Sequence, residues 1–130
     1  MQVERRRNVN GATSASKAKV TLEDLLALEA ITVESPPFPA DAAGCSGVSV
    51  SHLLGKATAG VGVFIGDDET EKIDYEELAK GVLLTTSATG APLSLDDGGP
   101  LRCVFPVGVA LQEDDSPADV RDVRLLTLTT

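Results

Sequence analysis

The most apolar strand of the chain is predicted inside Gly98-Gly99-Pro100-Leu101-Arg102-Cys103-Val104-Phe105-Pro106. The preceding Asp96-Asp97 and the two glycines are typical of a turn, because Asp and Gly adopt turn conformations readily. The run at 101–105 is a short apolar segment that follows this turn signal, as expected of a buried strand. This turn and strand are the starting point for the rest of the chain.

On either side of this strand, β-branched or apolar runs predict four further strands, at residues 30–33, 61–65, 82–86 and 123–127. Thr21 with Asp24, and Asp74 with Glu77, have the spacing of capping boxes and predict two short helices. A third short helix is predicted from residue 50, where apolar residues recur at helical spacing, and residues 36–47 read as a loop. The sequence therefore predicts an α+β fold, a mixed β-sheet with a few short helices beside it.

Charge is distributed unevenly along the 130 residues, whose formal net charge is −9. Residues 1–18 are polar and low in aliphatics, and they predict a mobile basic arm ahead of a single domain at 19–130. Residues 1–19 carry a net +4, which leaves −13 for the remainder and disfavours nucleic-acid binding by the domain.

No run has the length of a membrane span and no apolar run follows the basic N-terminus, so we expect no membrane span and a cytoplasmic location.

Few residues of the chain are candidates for metal binding or catalysis. Cys45 and Cys103 belong to no CxxC pair, and with His52 they match no zinc-site spacing, so we expect buried free thiols. His52 is the only histidine and is predicted to be a partly exposed helix residue rather than a base. No catalytic residue is predicted.

Several segments resemble, in order, the molybdopterin-binding domain of the sulfite oxidase family. That family opens with a pattern like "tledLlalp" and continues through "GvpLrdLL", "lpledal", "LLayemNGepL" and "hGgPlRlvvP". The matching segments are residues 21–28, 47–54, 74–78, 83–93 and 98–106. The resemblance covers most of residues 20–128 and implies a sulfite-oxidase-type fold; the Gly-Gly-Pro-Leu-Arg piece is its most specific part.

The resemblance also implies a place for a metal ligand. In the family a thiolate from an early loop binds molybdenum, and the spacing places that position near Ser35, which is not a cysteine. Cys45, in Cys45-Ser46-Gly47, is the candidate substitute, and a loop or core thiol is the alternative. The loop between Ser35 and Gly47 is also shorter than in fuller members of the family.

Basic residues bind the phosphate and pterin of the cofactor in that family. Arg121 and Arg124 stand where the family has a late pair of cations, and Arg102 lies on the Gly-Gly-Pro-Leu-Arg strand. These three arginines are the candidate cofactor-binding residues, since a guanidinium can bind phosphate with two donors. The alternative for Arg121 and Arg124 is pairing with a carboxylate such as Asp119.

Three functions follow. The first is a small divergent domain of this fold that acts without a cofactor as a binding or interaction module, whose partner is a small molecule or a protein. The second is a molybdopterin-dependent oxidoreductase or cofactor-binding protein that uses Cys45 and the arginines. The third is an RNA- or membrane-associated protein that works through the basic arm at 5–7.

Overall fold

A computed structural model describes all of residues 1–130. It contains ten β-strands, three short α-helices and one 3₁₀ turn at Ala40–Ala42. The strands are β1 Gln2–Val9, β2 Ala12–Lys19, β3 Ile31–Thr32, β4 Ser46–Ser49, β5 Val61–Ile65, β6 Ile73–Asp74, β7 Val82–Thr86, β8 Arg102–Val104, β9 Asp119–Val120 and β10 Leu125–Thr129. The helices are α1 Leu22–Leu26, α2 Val50–Leu54 and α3 Tyr75–Leu78. The α+β prediction is confirmed at this level.

The strands form two five-stranded sheets. Sheet 1 has the order β2-β1-β10-β5-β6, and sheet 2 has the order β3-β4-β7-β8-β9. All pairs are antiparallel except β1 with β10, which run parallel and make sheet 1 mixed. Ten strands exceed the five or six that the sequence predicts, because several are only two residues long and lack a recognisable pattern.

The main core is formed by the faces that the two sheets turn toward each other. Val3, Leu126 and Phe64 are neighbours across sheet 1, and Leu83 pairs with Cys103 in sheet 2. All belong to one cluster of 19 buried residues, which also holds Phe105. The rings of Phe64 and Phe105 meet edge to face at 6.2 Å, an arrangement that adds to the roughly 2 to 3 kcal/mol gained by burying each ring.

The opposite face of sheet 2 is covered by the segment at 33–45. Side chains alternate across a strand, so Arg102 and Val104 lie on this outer face while Cys103 points into the main core. A second cluster forms beneath the covering segment and consists of Val33, Ala42, Cys45, Val82, Leu84, Leu93 and Val104. Arg102 is therefore placed at the margin of a small apolar layer.

The N-terminal segment is not an isolated arm. Residues 1–18, expected to be mobile, instead form most of the β1–β2 hairpin, and β1 lies between β2 and β10. The turn is Asn10-Gly11, both with positive φ, which is the combination that a tight two-residue hairpin requires. The boundary at residue 19 is thus wrong, because backbone pairing with β10 and the burial of Val3 join the segment to the domain.

Local signals have mixed outcomes. Thr21 and Asp24 exchange both bonds of a capping box, as predicted. The second capping box is wrong, since Asp74 makes no side-chain cap bond and instead ends β6. The loop predicted at 36–47 overlaps the start of β4, which the sequence did not predict because Gly47 interrupts its apolar pattern. Glycine is required there, since a Cβ would lie 2.0 Å from the carbonyl oxygen of Leu83.

Candidate functional site

Arg102 is the buried centre of a charge cluster whose other members are partly exposed. Only 3% of its side chain is exposed. Its Nε donates to Oδ1 of Asp119 at 2.8 Å, and its Nη2 donates to Oδ2 of Asp119 at 2.6 Å and to Oδ1 of Asp41 at 3.0 Å. The planar guanidinium matches the carboxylate with two parallel bonds, the strongest form of this interaction. Arg102, on β8, therefore ties the edge strand β9 and the 3₁₀ turn to the rest of sheet 2.

Asp41 connects this cluster to Arg121. The Nη2 of Arg121 donates to the second carboxylate oxygen of Asp41 at 3.2 Å, and its Nη1 donates to the Asp96 carbonyl oxygen at 3.1 Å. The hydrogen bond from Arg102 lowers the pKa of Asp41, and the hydrogen bond to Asp119 raises the pKa of Arg102. Two arginines thus face two carboxylates, and the cluster carries no net charge.

Gly98 explains how two arginine side chains can lie this close to the same turn. Its φ is +92°, a conformation that glycine adopts without strain. A Cβ at this position would lie 2.9 Å from Cδ of Arg102 and 2.9 Å from Cγ of Arg121. The glycine turn ahead of β8 therefore provides the space in which the two arginine stems run.

Cys45 lies on the covering segment but faces the apolar cluster there. It is 6% exposed, and its backbone N–H donates to the Ala42 carbonyl oxygen at 3.0 Å. The structure holds no group of three histidine, cysteine or acidic side chains arranged for a metal ion. Cys103 is fully buried in the main core, and burial raises the pKa of its thiol. Both cysteines are free, as expected.

Arg124 lies apart from the other two predicted arginines. Its side chain is 71% exposed and donates from Nη2 to Asp122 at 2.6 Å. The alternative predicted from the sequence, that Arg121 and Arg124 pair with carboxylates, is confirmed. Their partners are Asp41 and Asp122 rather than Asp119, which pairs with Arg102. The structure therefore brings Arg102 and Arg121 together and leaves Arg124 separate.

These residues can be tested against the molybdopterin cofactor that the resemblance implies. A ligand of this size is bound in a concave cavity into which a few polar groups converge. Five main cavities open on the surface, and none is lined by Cys45, Arg102 or Arg121. Arg124 lines a separate one of about 630 Å³. The four candidate residues share none of these main cavities, so they do not fit a molybdopterin site.

A different site is formed by the N-terminal hairpin. The hairpin and the loop at 56–59 enclose a groove of about 790 Å³, which we call the basic groove. Its charged lining residues are Arg5, Arg6, Arg7 and Lys56, and no acidic side chain lines it. The sequence reasoning considered the arginines as part of a mobile arm and overlooked Asn10-Gly11, the turn signal that fixes them on a strand.

The cations of the basic groove differ in how they are partnered. Arg5 donates to the carbonyl oxygens of Leu53 at 2.7 Å and Leu54 at 3.0 Å, the last carbonyls of α2. Arg6 pairs with Glu4, and this bond lowers the pKa of the Glu4 carboxyl. Arg7 and Lys56 make no side-chain hydrogen bond or ion pair. Two positive charges therefore remain free in the groove.

Acidic residues gather around a separate groove of about 480 Å³. It is lined by carboxylates and by no basic side chain. The carboxylates are Asp68, Glu69, Glu71, Glu113, Asp114 and Asp119. The uneven charge of the sequence is thus also a division of the surface, with a basic and an acidic groove.

Comparison with known proteins identifies no similar protein. No family model, no curated protein and no solved structure matches the chain. None of the helices has the length or apolar character needed to cross a membrane. The fold and the site define a two-sheet α+β domain with a neutral charge cluster around the buried Arg102 and an open basic groove.

Proposed function

We propose that the chain is a small divergent domain of the sulfite oxidase molybdopterin-binding fold that acts in the cytoplasm as a cofactor-free binding or interaction module. The resembling segments support the fold part of this proposal because each falls on a defined element. Residues 21–28 include α1, residues 47–54 include α2, and residues 98–106 include β8.

The observation that carries the proposed function is the environment of Arg102. An arginine that binds a cofactor phosphate must present its donors to an open cavity. Arg102 is 3% exposed at its side chain, and its donors meet Asp119 and Asp41 instead. A phosphate would have to displace two carboxylates and would meet their negative charge. This arginine is therefore a structural cation, which favours a binding module over an oxidoreductase.

Exposed, unpartnered cations supply the binding part of the proposal. Arg7 and Lys56 lie in a groove without acidic lining residues, on a domain that is otherwise strongly acidic. Exposed charge with no structural partner is free to contact a ligand. The basic groove is accordingly the surface through which the module acts, whereas the residues carried over from the resemblance serve its stability.

The test measures molybdenum and oxidised pterin in protein purified from a host that makes the cofactor. We expect only background amounts of both in the native chain and no change in the Cys45→Ala variant. Near-equimolar molybdenum with pterin would overturn the proposal in favour of a molybdopterin-dependent oxidoreductase. Loss of that molybdenum in Cys45→Ala, together with a folded far-ultraviolet circular dichroism spectrum, would identify Cys45 as its ligand.

A further inference from the structure

Strand β2 forms an open edge of sheet 1. Its only neighbour is β1, with Gln2 opposite Lys19 and Val9 opposite Ala12. Met1 and Val20 lie just outside the hairpin, and each donates a hydrogen bond from its main-chain nitrogen to the carbonyl oxygen of the other. In an antiparallel pair such hydrogen-bonded residue pairs recur at every second position along the strands. The even-numbered residues of β2 therefore bond to β1. The odd-numbered ones direct their N–H and C=O groups away from the sheet.

The free backbone groups belong to Thr13, Ala15, Lys17 and Lys19. All 8 residues of β2 are exposed, and the strand contains no proline and no bulge. Small side chains make up most of it, so little stands in the way of another backbone. Natural sheets usually block an edge of this length, because unpaired edge groups pair readily with an added strand. The edge of β2 is thus a ready template for one more strand.

Charge determines which strand would fit. The hairpin carries a net +4 through residue 19, and the N-terminal cations extend into the basic groove beside it. Lys19, like Arg7 and Lys56, has no carboxylate within ion-pair distance. A second β2 would bring the same positive charge to the edge, which disfavours pairing between two copies. An acidic segment would be attracted.

We propose that β2 accepts an extended acidic peptide segment as an additional strand of sheet 1, held by backbone bonds at Thr13, Ala15 and Lys17 and by the cations of the hairpin and basic groove. This rests on the proposed binding function and names its partner class. Strand addition uses backbone bonds for affinity and side chains for specificity. A nucleic acid could use the cations but not the backbone edge, so a peptide accounts for both features.

The probe is a fluorescein-labelled peptide of alternating glutamate and threonine whose length matches the 8 residues of β2. Fluorescence anisotropy with the full chain is expected to show saturable binding that weakens as salt is added. A peptide of the same sequence, N-methylated at every second residue, keeps the charge and loses backbone donors. We expect methylation in the phase that faces β2 to weaken binding by about tenfold, and methylation in the opposite phase, whose N–H groups point away from β2, to leave it unchanged.

Two variants test the two halves of the site separately. Ala15→Pro removes an N–H that faces the open edge, where proline is tolerated in an edge strand, and we expect about tenfold weaker binding. Ala15→Val is its matched comparison, because it also adds bulk at this position but keeps the N–H, and we expect a clearly smaller loss than in Ala15→Pro. Arg7→Gln with Lys56→Gln removes the two free charges, and we expect binding to fall about threefold to tenfold and to lose part of its salt dependence.

Each contrary result has a defined meaning. Equal or tighter binding of a thymidine oligonucleotide of the same length would overturn the peptide proposal in favour of a phosphate site. A dimer in sedimentation that Ala15→Pro dissociates would overturn it in favour of self-association. Absence of binding at about 1 mM peptide would also overturn it, because a dissociation constant of that size corresponds to a binding free energy of only about −4 kcal/mol. If Ala15→Pro fails to fold, the N-methylated peptides still decide.

Failure here and failure of the proposed function are separate outcomes. Near-equimolar molybdenum in the same preparation would overturn the cofactor-free module and would leave the peptide result standing. Lack of peptide binding in molybdenum-free protein would overturn strand addition alone.

Discussion

Arg102 and Arg7 are the same residue type in opposite situations. Arg102 lies beneath the covering segment and meets two carboxylates, while Arg7 lies on the projecting hairpin and meets none. Desolvation of a charge is costly unless partners replace the water, so a buried arginine must be paired. An exposed one has no such requirement. The contrast shows that an arginine's contacts, more than its place in a motif, indicate whether it supports the fold or is available to a ligand.

The two regions also differ in what surrounds the charge. The cluster around Arg102 adjoins the 7-residue apolar cluster that includes Val104 and Leu84. The hairpin around Arg7 has no buried residue beyond Val3 and Glu4. Loss of a charge should therefore destabilise the first region strongly and the second hardly at all. Stability measurements on matched arginine variants test this difference between the two regions.

The largest effect is expected from Arg102→Met. It leaves Asp119 and Asp41 without their shared cation, and removing one partner of a buried ion pair typically costs about 3 kcal/mol or more. We expect a loss of about 3 kcal/mol in the free energy of unfolding, measured by urea denaturation. The partly exposed carboxylates keep the loss near the lower end of that range.

Arg124→Met is the matched control for that measurement. Arg124 also pairs with a neighbouring aspartate, but its side chain is 71% exposed. Solvent screens exposed pairs of this kind, so Arg124→Met should cost far less than Arg102→Met. If Arg102→Met destabilises the protein no more than Arg124→Met does, the assignment of Arg102 as a structural cation is wrong.

A smaller, pH-dependent effect is expected from Asp41→Asn. The hydrogen bond from Arg102 holds the pKa of Asp41 below its usual value of 3.8, so its stabilising effect is present above that value and is lost as pH falls through the folded pKa. Asp41 is 58% exposed, and we expect a loss of about 1 kcal/mol or less at pH 7. Urea titrations should show the difference from the native chain shrinking below about pH 4.

A difference that does not shrink as pH falls below about 4 would contradict this assignment, because a carboxyl with a lowered folded pKa is protonated first in the unfolded chain. Asp114→Asn is a useful control. Its carboxyl also has a lowered pKa, caused by a hydrogen bond from Ser116, but it lies in an exposed loop without an arginine partner. Its substitution should leave the Arg102 cluster intact.

The elements that the sequence predicts best are those whose pattern is local. The strands at Val61–Ile65 and Val82–Thr86 have the predicted bounds, and the capping box of α1 forms as expected. Strand β4 was missed because Gly47 is required by close backbone contact across the sheet, which no local pattern reveals. The hairpin was missed although its Asn-Gly turn was visible, since its polar strands have almost no apolar alternation.

The candidate site shows the same limit. The acidic composition was enough to predict that Arg121 and Arg124 pair with carboxylates, but the partner predicted for them, Asp119, pairs with Arg102 instead. Asp41 could not be named, because it lies 61 residues from Arg102 and only the folding of the covering segment brings it there. Whether Cys45 faces a cavity or an apolar cluster depends equally on tertiary packing. The sulfite-oxidase-type fold itself stays a proposal.

The smallest effect is expected from Arg7→Ala, and the comparison of the two regions depends on it most directly. Arg7 has no bonded partner, so its loss should change the free energy of unfolding by about 0.5 kcal/mol or less. Arg5→Ala, on the same face of β1, removes two bonds to the last carbonyls of α2 and should cost about 1 to 2 kcal/mol. Thermal and urea denaturation measure both. If Arg7→Ala costs as much as Arg5→Ala, then Arg7 supports the hairpin and is not free for a ligand.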